Sequence, residues 1–159
     1  LQKFTFDYYM HGIVEESGEV FDAVRAARST DASSFERDNV IAEIGDVLWY
    51  VTSFSMELGG SLSMPQTWPW VEKTIAEPEV LLLVAAARLS GRVKKSLRGD
   101  KKLEQFLPAM ASYRDEILKL CPQVAANHGS TLEQCASVNV RKLGSRSERN
   151  TMYGDGDTR

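Results

Sequence analysis

With 159 residues, a hydrophobic share of 43% and a charged share of 26%, the chain can bury one compact core and leaves no room for two large domains. Its longest apolar runs stop well short of the roughly 18 residues a membrane span needs, which excludes a transmembrane helix. The net charge of −3 divides unevenly: residues 1–75 carry 12 Asp and Glu against 5 Lys and Arg, whereas residues 76–159 carry 10 against 14. Such a division suits a molecule that holds a cation with one half and a polyanion with the other, and it is equally what chance and ordinary helix-surface charge produce.

The apolar pattern is helical almost throughout. Ile13, Val14, Val20, Phe21 and Val24 recur at intervals of three to four residues and predict a helix over 3–28. The polar run Ser29 to Ser34 ends it, and Ser33 with Glu36 forms a capping-box pattern that starts a second helix over 34–58, carried by Val40, Ile41, Ile44, Val47, Leu48 and Val51. Gly59-Gly60 stops that helix. A connector over 61–77, holding Trp68-Pro69-Trp70, is expected to pack its aromatics onto the bundle. Pro78 suits the first turn of a third helix over 79–98. After Gly99-Asp100 a fourth follows over 102–127, with Pro108 and Pro122 expected to kink or break it. His128-Gly129 ends it, and Ser130 with Glu133 reads as a second capping box opening a fifth helix over 131–147. The glycine-rich end, Tyr153 to Arg159, is no helix. Cys121 and Cys135 lack CxxC or Cys/His spacing and read as structural thiols of a reducing compartment. With no signal-like segment, the expectation is a cytoplasmic protein.

The sequence also compares with itself. An offset of 73 lays Glu15-Glu16-Ser17-Gly18-Glu19-Val20 over Arg88-Leu89-Ser90-Gly91-Arg92-Val93, and an offset of 70 lays Asp46-Val47-Leu48 over Glu116-Ile117-Leu118. The organisation this predicts is all-α: a helical bundle built from two fused helical hairpins, 1–60 and 78–128, joined by the connector and followed by a C-terminal helix and Gly/Arg tail over 129–159. Two hairpins in one chain can bury their apolar stripes against each other as a four-helix core.

Four acids in the first hairpin stand in matched pairs. Glu16 and Glu19 are three residues apart on the first helix, Glu43 and Asp46 three apart on the second, so each pair shares one helix face. All lie among apolar neighbours. Singly, each could be a solvated surface acid. Turned inward together they would repel one another unless a cation neutralised them, and Mg²⁺ suits such hard oxygen ligands. Gly18 and Gly45, inside helical patterns, could let a helix or a ligand approach closely. His11 and His128 have no motif around them.

The pattern Glu15-Glu16-x-x-Glu19, then 23 residues, then Glu43-x-x-Asp46 resembles the signature of the MazG-like, all-α nucleoside triphosphate pyrophosphohydrolases. Asn139-x-x-Lys142-Leu143-x-x-Arg146-x-x-Arg149, followed by Gly154-x-Gly156-Asp157-x-Arg159, is similar to the C-terminal segment of one branch of that family. The resemblance implies Mg²⁺, for which Mn²⁺ could substitute, held by Glu16, Glu19, Glu43 and Asp46. It also implies hydrolysis of a (deoxy)nucleoside triphosphate to monophosphate and pyrophosphate, with one of the four acids or Glu15 acting on the attacking water. Asn139, Lys142, Arg146, Arg149 and Arg159 would contact the nucleotide. Residues 61–128 depart from the pattern: Glu15, Glu16, Glu19 and Glu43 align with Arg88, Leu89, Arg92 and Tyr113. A composite site is therefore expected, with metal from the first half and cations, including Arg88 and Arg92, from the second; solvated helix surface is the plainer reading of those arginines. Other readings are a metal-dependent hydrolase of another phosphoanhydride and a non-catalytic helical interaction module. Neither nucleic acid nor a membrane is an expected partner, and the chain could stand alone or pair as a homodimer.

Overall fold

A computed structural model describes residues 4–29, 33–59, 77–99 and 101–149. It is all-α, with α1 over Phe6–Ala27, α2 over Ser34–Glu57, α3 over Pro78–Leu97, α4 over Leu107–Asn127 and α5 over Leu132–Glu148. Among the described residues there is no strand, and no helix is long and apolar enough to cross a membrane. Residues 61–76 of the connector, Trp68-Pro69-Trp70 included, and the tail from Tyr153 to Arg159 lie outside the described residues.

Local signals set most boundaries. The Ser33 hydroxyl accepts the Phe35 N–H at 3.2 Å and the Glu36 carboxylate accepts the Ser33 N–H at 2.8 Å, so the capping box forms as the sequence predicts. Pro78 opens α3 where its missing N–H costs no helical bond. Pro108 falls in the first turn of α4, and a 3-10 turn over Leu103–Gln105 precedes it, so the predicted fourth helix is divided there. Pro122 does not break α4. One missing bond is outweighed by the burial of Leu118, Leu120, Cys121, Val124 and Ala125 around it.

The cap of α5 is Thr131 with Gln134, one residue beyond the expected Ser130 and Glu133. The Thr131 hydroxyl accepts the Gln134 N–H at 3.3 Å and the Gln134 amide oxygen accepts the Thr131 N–H at 3.0 Å. Ser130 is committed elsewhere. Gly129 turns left-handed at φ +71°, the Gly129 N–H bonds to Ala126 O and the Ser130 N–H to Ala125 O at 2.9 Å. This pair of bonds is a Schellman closure of α4, with His128 as the C-cap.

Helix α1 packs chiefly on α2, and α3 on α4; the two hairpins meet along α1 and α3, and α5 lies on α2. Their buried positions coincide at the offset of 70: Val40, Ile44, Val47, Val51 and Phe54 fall on Met110, Arg114, Ile117, Cys121 and Val124, every one buried. At the offset of 73, Ile13 and Val20 fall on Ala86 and Val93. The end of α1 is tied to the start of α3 by Arg28, whose guanidinium lies 2.7 Å from the buried carboxylate of Glu79 in the first turn of α3. A carboxylate there also meets the positive end of the helix dipole. Cys121 and Cys135 are both free and buried, and burial pushes the Cys121 thiol up to about 12, which keeps it unreactive.

Candidate functional site

The acids of α1 and α2 meet where the first hairpin faces itself. A carboxylate oxygen from each of Glu16, Glu19 and Glu43 lies within 4.8 Å of the other two. Glu43 is buried, Glu16 half-buried and Glu19 exposed, so the group opens to solvent on one side and rests on the core on the other. Burial, and then the charges of Asp46, Glu19 and Glu43, push the Glu16 carboxyl up to about 8; Lys142 acts in the opposite direction. Three convergent hard oxygen donors, one of them biased toward its protonated form by burial and then by neighbouring charge, form a donor set that fits a divalent cation of the Mg²⁺ type.

Asp46 belongs to the same electrostatic group but makes different contacts. Its two carboxylate oxygens are taken by the Asn139 side-chain N–H and the Lys142 ammonium, both on α5. Asp46 and Asn139 are buried, and Lys142 is nearly so. The residues at 135, 139 and 142 lie on the α5 face turned to α2, where Gly45 has no side chain: a Cβ there would stand 2.5 Å from the Cys135 carbonyl oxygen and 2.9 Å from the Asn139 Cβ. Gly45 thus meets the expectation of close approach. No helix among the described residues approaches Gly18 closely, since nothing lies within 4 Å of a Cβ there.

The other residues expected here divide. Glu15 is exposed beside the trio, outside the set of converging oxygens. Arg146 is half-buried on α5, and Arg149 is exposed at its end, donating from Nε to Ser145 O at 3.3 Å. Arg159 lies outside the described residues. The structure turns Arg92 toward α4, its guanidinium 5.9 Å from the centre of the Tyr113 ring, and leaves Arg88 exposed on α3. Lys142 is brought to the acids.

An aromatic group borders the acids. Tyr8 and Tyr50 rings stand 6.2 Å apart, Tyr9 and Trp49 6.0 Å, and Phe4 stacks on Tyr8 at 4.1 Å. The Tyr50 hydroxyl is pushed up by burial, by Tyr8 and by the nearby Glu16 and Glu15 charges. Its ring lies where a Cβ on Gly12 would stand, so Gly12 admits it. Gly12 is the residue that sequence reading passed over; its only signal was a glycine on the buried face of a strongly helical segment.

The bundle thus converges three carboxylates from two adjacent helices and backs them with an Asp–Asn–Lys cluster, a set of groups able to hold a divalent cation. Residues 4–65, which hold this hairpin, match the family described as the MazG nucleotide pyrophosphohydrolase domain. No curated protein and no solved structure matches the chain.

Proposed function

We propose that the protein hydrolyses a nucleoside triphosphate to the monophosphate and pyrophosphate, in a site built from Glu16, Glu19, Glu43 and Asp46 with Asn139 and Lys142. The observation that carries this reading is the convergence of Glu16, Glu19 and Glu43 in a hairpin of pyrophosphohydrolase type. Glu16, Glu19 and Glu43, with Asp46 behind them, would hold Mg²⁺, which neutralises triphosphate charge and lowers the pKa of a water when bound.

The chain's own groups account for the remaining work. Lys142 offers an ammonium beside the acids, a donor for a phosphoryl oxygen once substrate competes with Asp46 for it. Asn139 holds Asp46 in one orientation, so the carboxylate presents a fixed oxygen to the site. Glu15 stands on the solvent side, where it can take a proton from the attacking water. Tyr8 and Tyr50 border Glu15 and Glu16 and offer the base a flat apolar face at the end of the triphosphate.

The test is pyrophosphate release from a panel of the common NTPs and dNTPs with Mg²⁺. The purified chain is expected to release pyrophosphate and monophosphate in equal amounts. The Glu43→Gln variant is expected to keep the wild-type helical circular dichroism while turnover falls about 10²-fold or more, as when one preorganised electrostatic group is lost. Release of inorganic phosphate instead would move the activity to another phosphoanhydride bond. Undiminished turnover by Glu43→Gln would remove the acids from the chemistry.

A further inference from the structure

We infer that Gly45 is a positioning residue: by having no side chain it lets α5 seat on α2, and only that seating brings Asn139 and Lys142 to Asp46. The first step is steric. A Cβ at position 45 would meet the backbone carbonyl oxygen of Cys135 at 2.5 Å, well inside any contact real Cβ atoms make, and the Asn139 Cβ at 2.9 Å. The nearer obstacle is backbone, so no rotamer change relieves it and α5 itself must move. The second step is register. Cys135, Asn139 and Lys142 stand at i, i+4 and i+7, one stripe of α5. The contact at Cys135 therefore sets the height of the whole stripe, and Asn139 and Lys142 end on the two oxygens of the residue next to Gly45. The third step is supply: α5 follows the second hairpin in sequence yet packs chiefly on α2, with far less contact on α4. The Gly45 contact belongs to that long-range docking.

Gly45 touches neither substrate nor metal in this account; it acts through Asn139 and Lys142. The inference rests on the proposed activity for its kinetic arm, whereas its structural arm stands without that activity. Hydrogen exchange comes first. In Gly45→Ala the amides of α5 are expected to lose protection at least about tenfold while those of α1 keep theirs, because local opening becomes easier only where packing is lost. Gly91→Ala, made where no described residue lies within 4 Å, is expected to leave α5 protection no lower than wild type and turnover at the wild-type level. The second arm is a double-mutant cycle on kcat/KM with Mg²⁺ and whichever nucleotide of the panel is turned over fastest. Gly45→Ala alone is expected to cost about 10²-fold, the scale of an ångström of misplacement. Made in an Asn139→Ala/Lys142→Ala background, it is expected to cost nothing more, since the groups it positions are already gone.

Unchanged α5 protection in Gly45→Ala, or a penalty that adds in full to that of the double variant, overturns the inference. If Gly45→Ala does not fold, the wild-type chain decides: nuclear Overhauser contacts between the Gly45 Hα and Asn139 Hβ protons are expected, and their absence overturns it. A wild-type chain that turns over no nucleotide defeats the proposed activity alone, because the exchange and contact measurements still rule on the seating of α5.

Discussion

At the scale of single residues, the informative group is Glu16. An ordinary glutamate carboxyl titrates at 4.5, and burial with three neighbouring acids raises that of Glu16 to about 8. In the unfolded chain it reverts to the lower value. Protonated Glu16 favours the fold, so this stability is fully present below pH 4.5 and is lost as pH rises through 8. A divalent cation bound among the acids would replace the proton, and its binding would therefore strengthen over the same interval. In melts with a chelator present, the wild-type melting temperature is expected to fall from pH 6 to pH 9 more steeply than that of Glu16→Gln, which has no proton to lose. Added Mg²⁺ is expected to raise the wild-type value more at pH 9 than at pH 6. Parallel pH curves for the two chains would show that Glu16 is not the group under strain. The i, i+3 pairs made these acids legible in the sequence, because three-residue spacing fixes a shared face. It does not say what covers that face, so nothing in the spacing told that Asp46 would be bonded by α5 while the other three converge.

At the scale of elements, the apolar period and the caps carried nearly all the boundaries, since both are local physics. The two departures have one cause: each depends on neighbours the local string does not show. Ser130 has the residue type of a cap but spends its N–H on closing α4, and Pro122 has the residue type of a breaker but sits in a helix held by burial on both sides. Glycines follow the same logic, and their substitution separates local propensity from packing. Alanine is favoured over glycine in a helix by up to about 1 kcal/mol. At Gly91 nothing lies within 4 Å, so Gly91→Ala is expected to stabilise the chain by up to about 1 kcal/mol in urea denaturation. At Gly12 the new Cβ would lie in the Tyr50 ring. Gly12→Ala is expected to destabilise by about 1–3 kcal/mol net of that gain, because the half-buried ring must leave its packing against Tyr8 and Trp49. Equal effects at the two positions would mean that Tyr50 moves aside without cost.

At the scale of the whole molecule, the division of charge read from the sequence acquires a spatial form in the two hairpins. The offsets of 73 and 70 pair positions of the two hairpins, and the buried positions of α2 and α4 coincide at the offset of 70. Where Glu19 and Glu43 approach within 4.8 Å in the first hairpin, the aligned Arg92 and Tyr113 face each other at 5.9 Å in the second. At these positions a guanidinium over a ring satisfies the cation with a π-face, and the pair offers no two carboxylates to a metal. Leu89, aligned with Glu16, is fully buried and removes the third ligand. The sequence offset could place Arg92 on the right face of α3 but could not reveal that a ring from α4 would meet it. The consequence is a count. Isothermal titration with Mn²⁺, or melting against Mg²⁺ concentration, is expected to give one class of site per chain, abolished by Glu43→Gln. Arg92→Glu/Tyr113→Glu, which restores two of the three aligned acids, is expected to leave that count unchanged while Leu89 closes the third position. Two equivalent sites in the wild-type chain would show that the second hairpin binds metal as well, despite Arg92 and Tyr113 at the aligned positions.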